Sequence, residues 1–108
     1  MNRGDIVTTA MQGDYGKPRP ALIVQSDAFS QTESVTLLLI TSTIETASLL
    51  RVNMAPSITN GLRKQSQVQI DRLMTTPRER IGSVIGRAGE QLMQEIDQKL
   101  LTFLSLEF

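Results

Sequence analysis

Four segments of the 108-residue sequence carry side chains suited to chemistry. The first is Gly13-Asp14-Tyr15-Gly16-Lys17-Pro18-Arg19-Pro20. The prolines on either side of Arg19 restrict φ and stiffen the backbone there. A guanidinium on stiff backbone suits a phosphate or carboxylate, because its planar fork grips two oxyanion oxygens at once. Lys17 adds a cation, and Tyr15, the only tyrosine, offers a ring on which a base can stack. The same residues also suit an ordinary surface loop whose glycines and prolines serve turns. The second segment, Thr41-Ser42-Thr43, follows an apolar run. Its hydroxyls can serve a ligand, or they can bond their own backbone in a turn. The third is the alternating set Gln67, Gln69 and Asp71. By itself it reads as the solvent side of a half-buried strand, although glutamine amides can also read base edges. The fourth, Arg78-Glu79-Arg80, reads as a solvated turn.

The residues that are missing narrow the chemistry further. The sequence has no histidine and no cysteine. That excludes an imidazole general base, a Ser-His-Asp triad, a disulfide framework and a thiolate or imidazole metal site. A metal would need carboxylates alone, and no close Asp/Glu cluster has ligand-like spacing. No metal and no cofactor are expected. Catalysis would rest on Arg, Lys, Asp, Glu, Ser, Thr, Tyr or backbone groups.

These segments need elements to position them. Residues Asp5 to Met11 are rich in β-branched types and predict a first strand. Gln12 to Arg19 predicts a loop, and Pro20 to Gln25 a second strand with proline ahead of the ladder. Val35 to Thr41 is apolar on both faces and predicts a central third strand. Leu49 to Met54 predicts a fourth. Ala55 to Lys64 is a loop holding the turn dipeptide Asn60-Gly61. Ser66 to Leu73 alternates, with Val68 and Ile70 opposed to Gln67, Gln69 and Asp71, and predicts a fifth strand. Thr75 to Arg80 is a turn around Pro77, and Gly82 to Arg87 a short sixth strand. From Gly89 the period changes. Leu92, Ile96, Leu100 and Phe103, flanked by Met93 and Leu104, mark one amphipathic helix to about Leu104, with Glu95 and Asp97 facing away. The fold class is mainly β with a C-terminal helix: a small, strongly curved antiparallel sheet or barrel closed by the helix. Residues 1–108 are expected to form a single domain.

Composition is ordinary for a globular chain, with 40% hydrophobic and 20% charged residues. No apolar run approaches transmembrane length, and Met-Asn-Arg-Gly-Asp lacks the apolar stretch of a signal peptide. A cytoplasmic protein without a membrane partner is the expectation. Formal net charge is zero, but it is unevenly spread. Residues 1–88 hold ten Lys/Arg against seven Asp/Glu, and residues 89–108 hold one against four. A basic body suits a phosphate-bearing partner, although random clustering of surface charge gives the same imbalance.

Together these segments resemble the MazF/PemK (Kid-like) toxins. The likeness runs through Arg3-Gly4-Asp5-Ile6-Val7, Gly16-Lys17-Pro18-Arg19-Pro20, Ala21-Leu22-Ile23-Val24-Gln25 and Leu39-Ile40-Thr41-Ser42. It continues through Asn60-Gly61-Leu62, Ser66-Gln67-Val68-Gln69-Ile70-Asp71 and Arg80-Ile81-Gly82-Ser83-Val84-Ile85-Gly86. The resemblance implies an SH3-like β-barrel with a C-terminal helix, assembled as a homodimer. It implies the toxin of a type II toxin-antitoxin system: a metal-independent endoribonuclease cutting single-stranded mRNA at short motifs. A cognate antitoxin would place its C-terminal segment in the RNA groove. Arg19 and Thr41 would be the catalytic pair. Tyr15, Gly16, Lys17, Pro18, Ser42, Gln67, Gln69 and Asp71 would bind RNA. Some members carry an Arg-x-Asp pair on the fifth strand where this chain has Gln69 and Asp71, which leaves Asp71 as a candidate to position RNA or contact a base. Met74-Thr75-Thr76 and Ser83-Val84-Ile85-Gly86 also echo the CcdB gyrase poisons, which share the fold without catalysis. Those act through a C-terminal end containing Trp, and this chain has no Trp.

Overall fold

The computed structural model describes residues 1–10 and 17–106. Among the described residues, six strands alternate with turns: β1 (Asp5–Ala10), β2 (Pro18–Ile23), β3 (Ser34–Thr41), β4 (Arg51–Met54), β5 (Ser66–Pro77) and β6 (Ile81–Arg87). One helix, α1 (Glu90–Phe103), follows. The strands form a single antiparallel sheet in the order β4-β5-β3-β2-β1-β6.

Both faces of this sheet are apolar in its middle. Ile6, Leu22, Leu38, Ile40, Val68 and Ile70 form the inner core, and Ile96 of α1 is fully buried against them. Leu92, Met93 and Leu100 complete the helix's apolar stripe, while Phe103 is left exposed. Val7, Ala21, Ile23, Val35 and Leu37 make a second cluster on the opposite face. Period-2 alternation within strands that are apolar at successive positions produces this two-sided packing. Asp97 does not simply face solvent: its carboxylate accepts from the guanidinium of Arg3, tying the helix to the start of the chain.

The sheet curves but does not close, which corrects the expectation of a barrel. β4 and β6 remain its edges. The connection from residue 55 to residue 65 spans part of the gap instead. The N–H of Arg87 donates to the carbonyl of Thr59 at 2.9 Å. A Cβ on Gly86 would lie 2.2 Å from the carbonyl carbon of Asn60, and one on Gly61 (φ 71°) would lie 2.0 Å from the carbonyl oxygen of Ile85. Only glycine permits so close a passage of two backbones. Asn60 knots the same loop. Its Oδ1 accepts from the N–H groups of Ser57 and Leu62, and its Nδ2 donates to Ala55 O.

β5 is longer than its alternation predicts. It runs on through Thr75 and Thr76 to Pro77, where a 3₁₀ turn (Arg78–Arg80) replaces part of the predicted loop. β3 holds Leu38 opposite Leu73 and Ile40 opposite Val68, so the ladder is interrupted between them. One residue of β3 spans the stretch that takes β5 four residues. Gln69, Ile70, Asp71 and Arg72 occupy this bend, which lets the first half of β5 also pair with β4. Among the described residues no helix is long and apolar enough to cross a membrane.

Candidate active site

The site begins with what Pro18 and Pro20 cannot do. They lie inside β2, not ahead of it. The N–H of Val24 donates to Thr36 on β3. By period 2, positions 22, 20 and 18 point the same way, so both prolines turn their missing donors toward β3. The β2–β3 ladder stops where the prolines begin: its pairs are Ile23 with Leu37, Leu22 with Leu38 and Ala21 with Leu39. Two residues further out, the same register sets Arg19 opposite Thr41. There the strands share no ladder bonds, while β2 stays paired to β1 through Thr9 opposite Arg19 and Ala10 opposite Pro18.

The end of this ladder opens into a groove of about 840 Å³. Arg19, Leu39 and Thr41 line it from β2 and β3, and Gln69 from β5. Register places these side chains on the sheet face opposite α1. Lys17, Pro18 and Pro20 form one rim, and Ser42 and Thr43 another. Leu62, Arg63 and Lys64, from the glycine-anchored connection, form the far wall. Among the described residues the lining therefore holds four cations, Lys17, Arg19, Arg63 and Lys64, and no Asp or Glu. Such a groove concentrates positive potential against low-dielectric walls and attracts a polyanion.

Thr41 sits in a defined turn. Its Oγ1 accepts from the N–H of Thr43 at 3.1 Å. A hydroxyl whose lone pair is taken in this way still has its proton to donate. Both readings of Thr41-Ser42-Thr43 thus hold at once: the hydroxyl bonds its own backbone, and it lines the groove.

The family model described as PemK-like, MazF-like toxin of type II toxin-antitoxin system matches residues 2–104. The chain belongs to this family. A Mycolicibacterium smegmatis protein named probable endoribonuclease MazF is 43% identical over 107 residues, 98% of each chain. A solved mycobacterial endoribonuclease in complex with its cognate antitoxin matches with a TM-score of 0.84 at 27% identity, over 100% of this chain and 98% of that one. MazF in a MazE–MazF structure from Deinococcus radiodurans has a TM-score of 0.79 over 99% and 98% of the two chains; at 19% identity it speaks to fold alone. The choice between the MazF/PemK and CcdB types falls to the former.

In this MazF-like chain, Lys17, Pro18, Arg19, Thr41, Ser42 and Gln69 come together on one groove. Two further residues of the strand-five set do not line it. Gln67 lies on the expected face but is only 3% exposed, covered by the β3–β4 connection. Asp71 sits exposed at the β5 bend. Tyr15 and Gly16 lie outside the described residues. Arg63 and Lys64 escaped the reading of the sequence. Their one local signal is a cation pair one residue after Asn60-Gly61, and only the fold of that loop across the sheet opening brings them to the groove of Arg19.

Proposed function

We propose that this protein is a toxin that acts as a metal-independent endoribonuclease on single-stranded RNA, cutting mRNA at short motifs. One observation carries this reading: Arg19 and Thr41 line one groove beyond the proline-ended β2–β3 ladder, and its described lining has four cations and no carboxylate. The name of the Mycolicibacterium smegmatis relative supports it.

The chemistry requires neither histidine nor a metal ion. Lys17, Arg63 and Lys64 hold phosphates flanking the scissile one and align the substrate. Alignment of nucleophile and phosphorus supplies a large share of the rate. The ribose 2′-oxygen gives its proton to solvent water and bonds to phosphorus, the bond from phosphorus to O5′ breaks, and O5′ takes a proton from solvent water. The products are a 2′,3′-cyclic phosphate and a 5′-hydroxyl. Negative charge grows on the non-bridging oxygens, where the Arg19 guanidinium and the Thr41 hydroxyl donate to it. The Gln69 amide reads a base edge on the groove floor. Among the described residues no group of three carboxylates converges to hold a metal ion.

The partners follow from the same surface. A cognate antitoxin inactivates the toxin by laying its C-terminal segment in this groove, as a second, competing polyanion. The solved mycobacterial endoribonuclease bound to its antitoxin supports such a partner. The working form is a homodimer of single-domain chains in the cytoplasm. The test is incubation of the purified protein with unstructured RNA in EDTA. Cleavage at recurring short motifs is expected. RNA left intact, or cleavage that returns only when a divalent ion is added, refutes the proposal.

A further inference from the structure

Behind the groove, the side chain of Gln67 uses both of its polar atoms twice. Its Oε1 accepts from the N–H of Glu45 at 3.0 Å and from Nη1 of Arg51 at 3.0 Å. Its Nε2 donates to the carbonyl of Glu45 at 2.9 Å and to Oδ1 of Asn53 at 2.8 Å. Arg51 in turn donates to the carbonyl of Thr43 at 3.0 Å and pairs with the Glu45 carboxylate at 3.3 Å. Two side chains thus pin the backbone of residues 43–45 at three points: the carbonyl of Thr43 and both backbone groups of Glu45. The next residue bonded in this series is Thr41, whose Oγ1 takes the N–H of Thr43.

We propose that Gln67 and Arg51 form a positioning clamp that keeps the Thr41 hydroxyl turned to donate into the groove. This rests on the nuclease reading above. Gln67 sits directly opposite Thr41 in the β3–β5 ladder, so the clamp and the hydroxyl share one rung. A buried amide is costly unless all its bonds are made, and a fully satisfied network specifies one conformation. The segment it holds is not relaxed on its own account: Ala47, two residues beyond Glu45, has φ 55°, in the left-handed region. Such a conformation persists where surrounding bonds overdetermine it. An apolar side chain would fill the site of Gln67 but would leave the turn at Thr41 free to rotate. Gln67 accordingly acts on the reaction through Thr41 and does not touch RNA.

The test compares the whole protein with Gln67→Met, with Arg51→Met and with both changes. Three quantities are read: the single-turnover cleavage rate, the affinity for an uncleavable 2′-deoxy analogue of the RNA, and the amide exchange of Thr43 and Glu45. Each single change should slow cleavage on the order of 10- to 100-fold, as misplacement of a catalytic group does. Affinity should stay within about threefold, since the groove cations are untouched. The double variant should be no slower than the slower single one, because the two residues act as one unit. The amides of Thr43 and Glu45 should exchange about tenfold faster or more, as expected for local opening. Arg51→Lys keeps a cationic donor beside Gln67 and Glu45, so it covers the case in which Gln67→Met does not fold, and it should give a smaller loss than Arg51→Met. Lost affinity at an unchanged rate, additive slowing, or unchanged exchange overturns the clamp. Wild-type protein that leaves RNA intact defeats the nuclease reading by itself. In that event exchange at Thr43 and Glu45 still decides whether the clamp holds its turn.

Discussion

At the residue scale, cleavage depends first on Arg19. Its guanidinium stands at the next-to-last pair of β2 with β1, across from Thr41, on backbone that two prolines stiffen. Removing one donor to a developing oxyanion costs about 10²- to 10³-fold in rate. Arg19→Ala should therefore lose at least about that much RNA cleavage while its far-ultraviolet circular dichroism and melting curve match the parent. Retention of most activity would remove Arg19 from the mechanism. How much of this was legible in the sequence differs by residue. Pro18-Arg19-Pro20 was legible as stiff backbone around a cation, but not as part of the strand, since both prolines sit inside β2. Gln67 and Gln69 look identical by alternation, and both do fall on the polar face. What separates them is the β3–β4 connection folded over Gln67, a tertiary contact that period 2 does not encode.

At the element scale, the connection between β4 and β5 does two jobs. It spans part of the gap between the sheet edges, and it carries Arg63 and Lys64 to the groove. Both depend on backbone passing backbone at Gly61 and Gly86. In Gly86→Ala the new Cβ would meet the backbone of Asn60 at 2.2 and 2.3 Å, and that backbone is fixed by the Asn60 bonds. Overpacking of this kind costs about 1–3 kcal/mol, and denaturant titration should show a loss at or above that range. RNA affinity should fall with it, since the far wall of the groove moves. Unchanged stability would mean the loop does not sit against β6 as described. The strands and the helix were readable from β-branched content and from the change of period at Gly89. The openness of the sheet was not. Closure depends on whether β4 and β6 meet, and neither strand's own sequence says so. Nor was the β5 bend, since continuous alternation conceals an interrupted ladder.

At the scale of the whole molecule, a formal net charge of zero hides a working asymmetry. The described groove lining gathers four cations, while Glu90, Glu95 and Asp97 lie on α1 beyond the opposite face. Binding of single-stranded nucleic acid releases counterions in proportion to the phosphates neutralised, with a log–log salt slope of about −0.7 each. Four groove cations thus predict a slope of about −3 for RNA affinity against salt, and the Arg63→Ala, Lys64→Ala double variant should reduce its magnitude by about 1.4. A slope near zero would mean the RNA is held elsewhere or by uncharged contacts.

The most direct measurement uses a short RNA containing the cleavage motif, and its twin with a single 2′-deoxyribose immediately 5′ to the scissile phosphate, each incubated with the protein in EDTA. The account predicts that the all-ribose strand is cut to a 2′,3′-cyclic phosphate and a 5′-hydroxyl, while the twin binds equally well and stays whole. Cleavage of the twin, or products ending in a 5′-phosphate, would contradict attack by the 2′-oxygen in the Arg19–Thr41 groove.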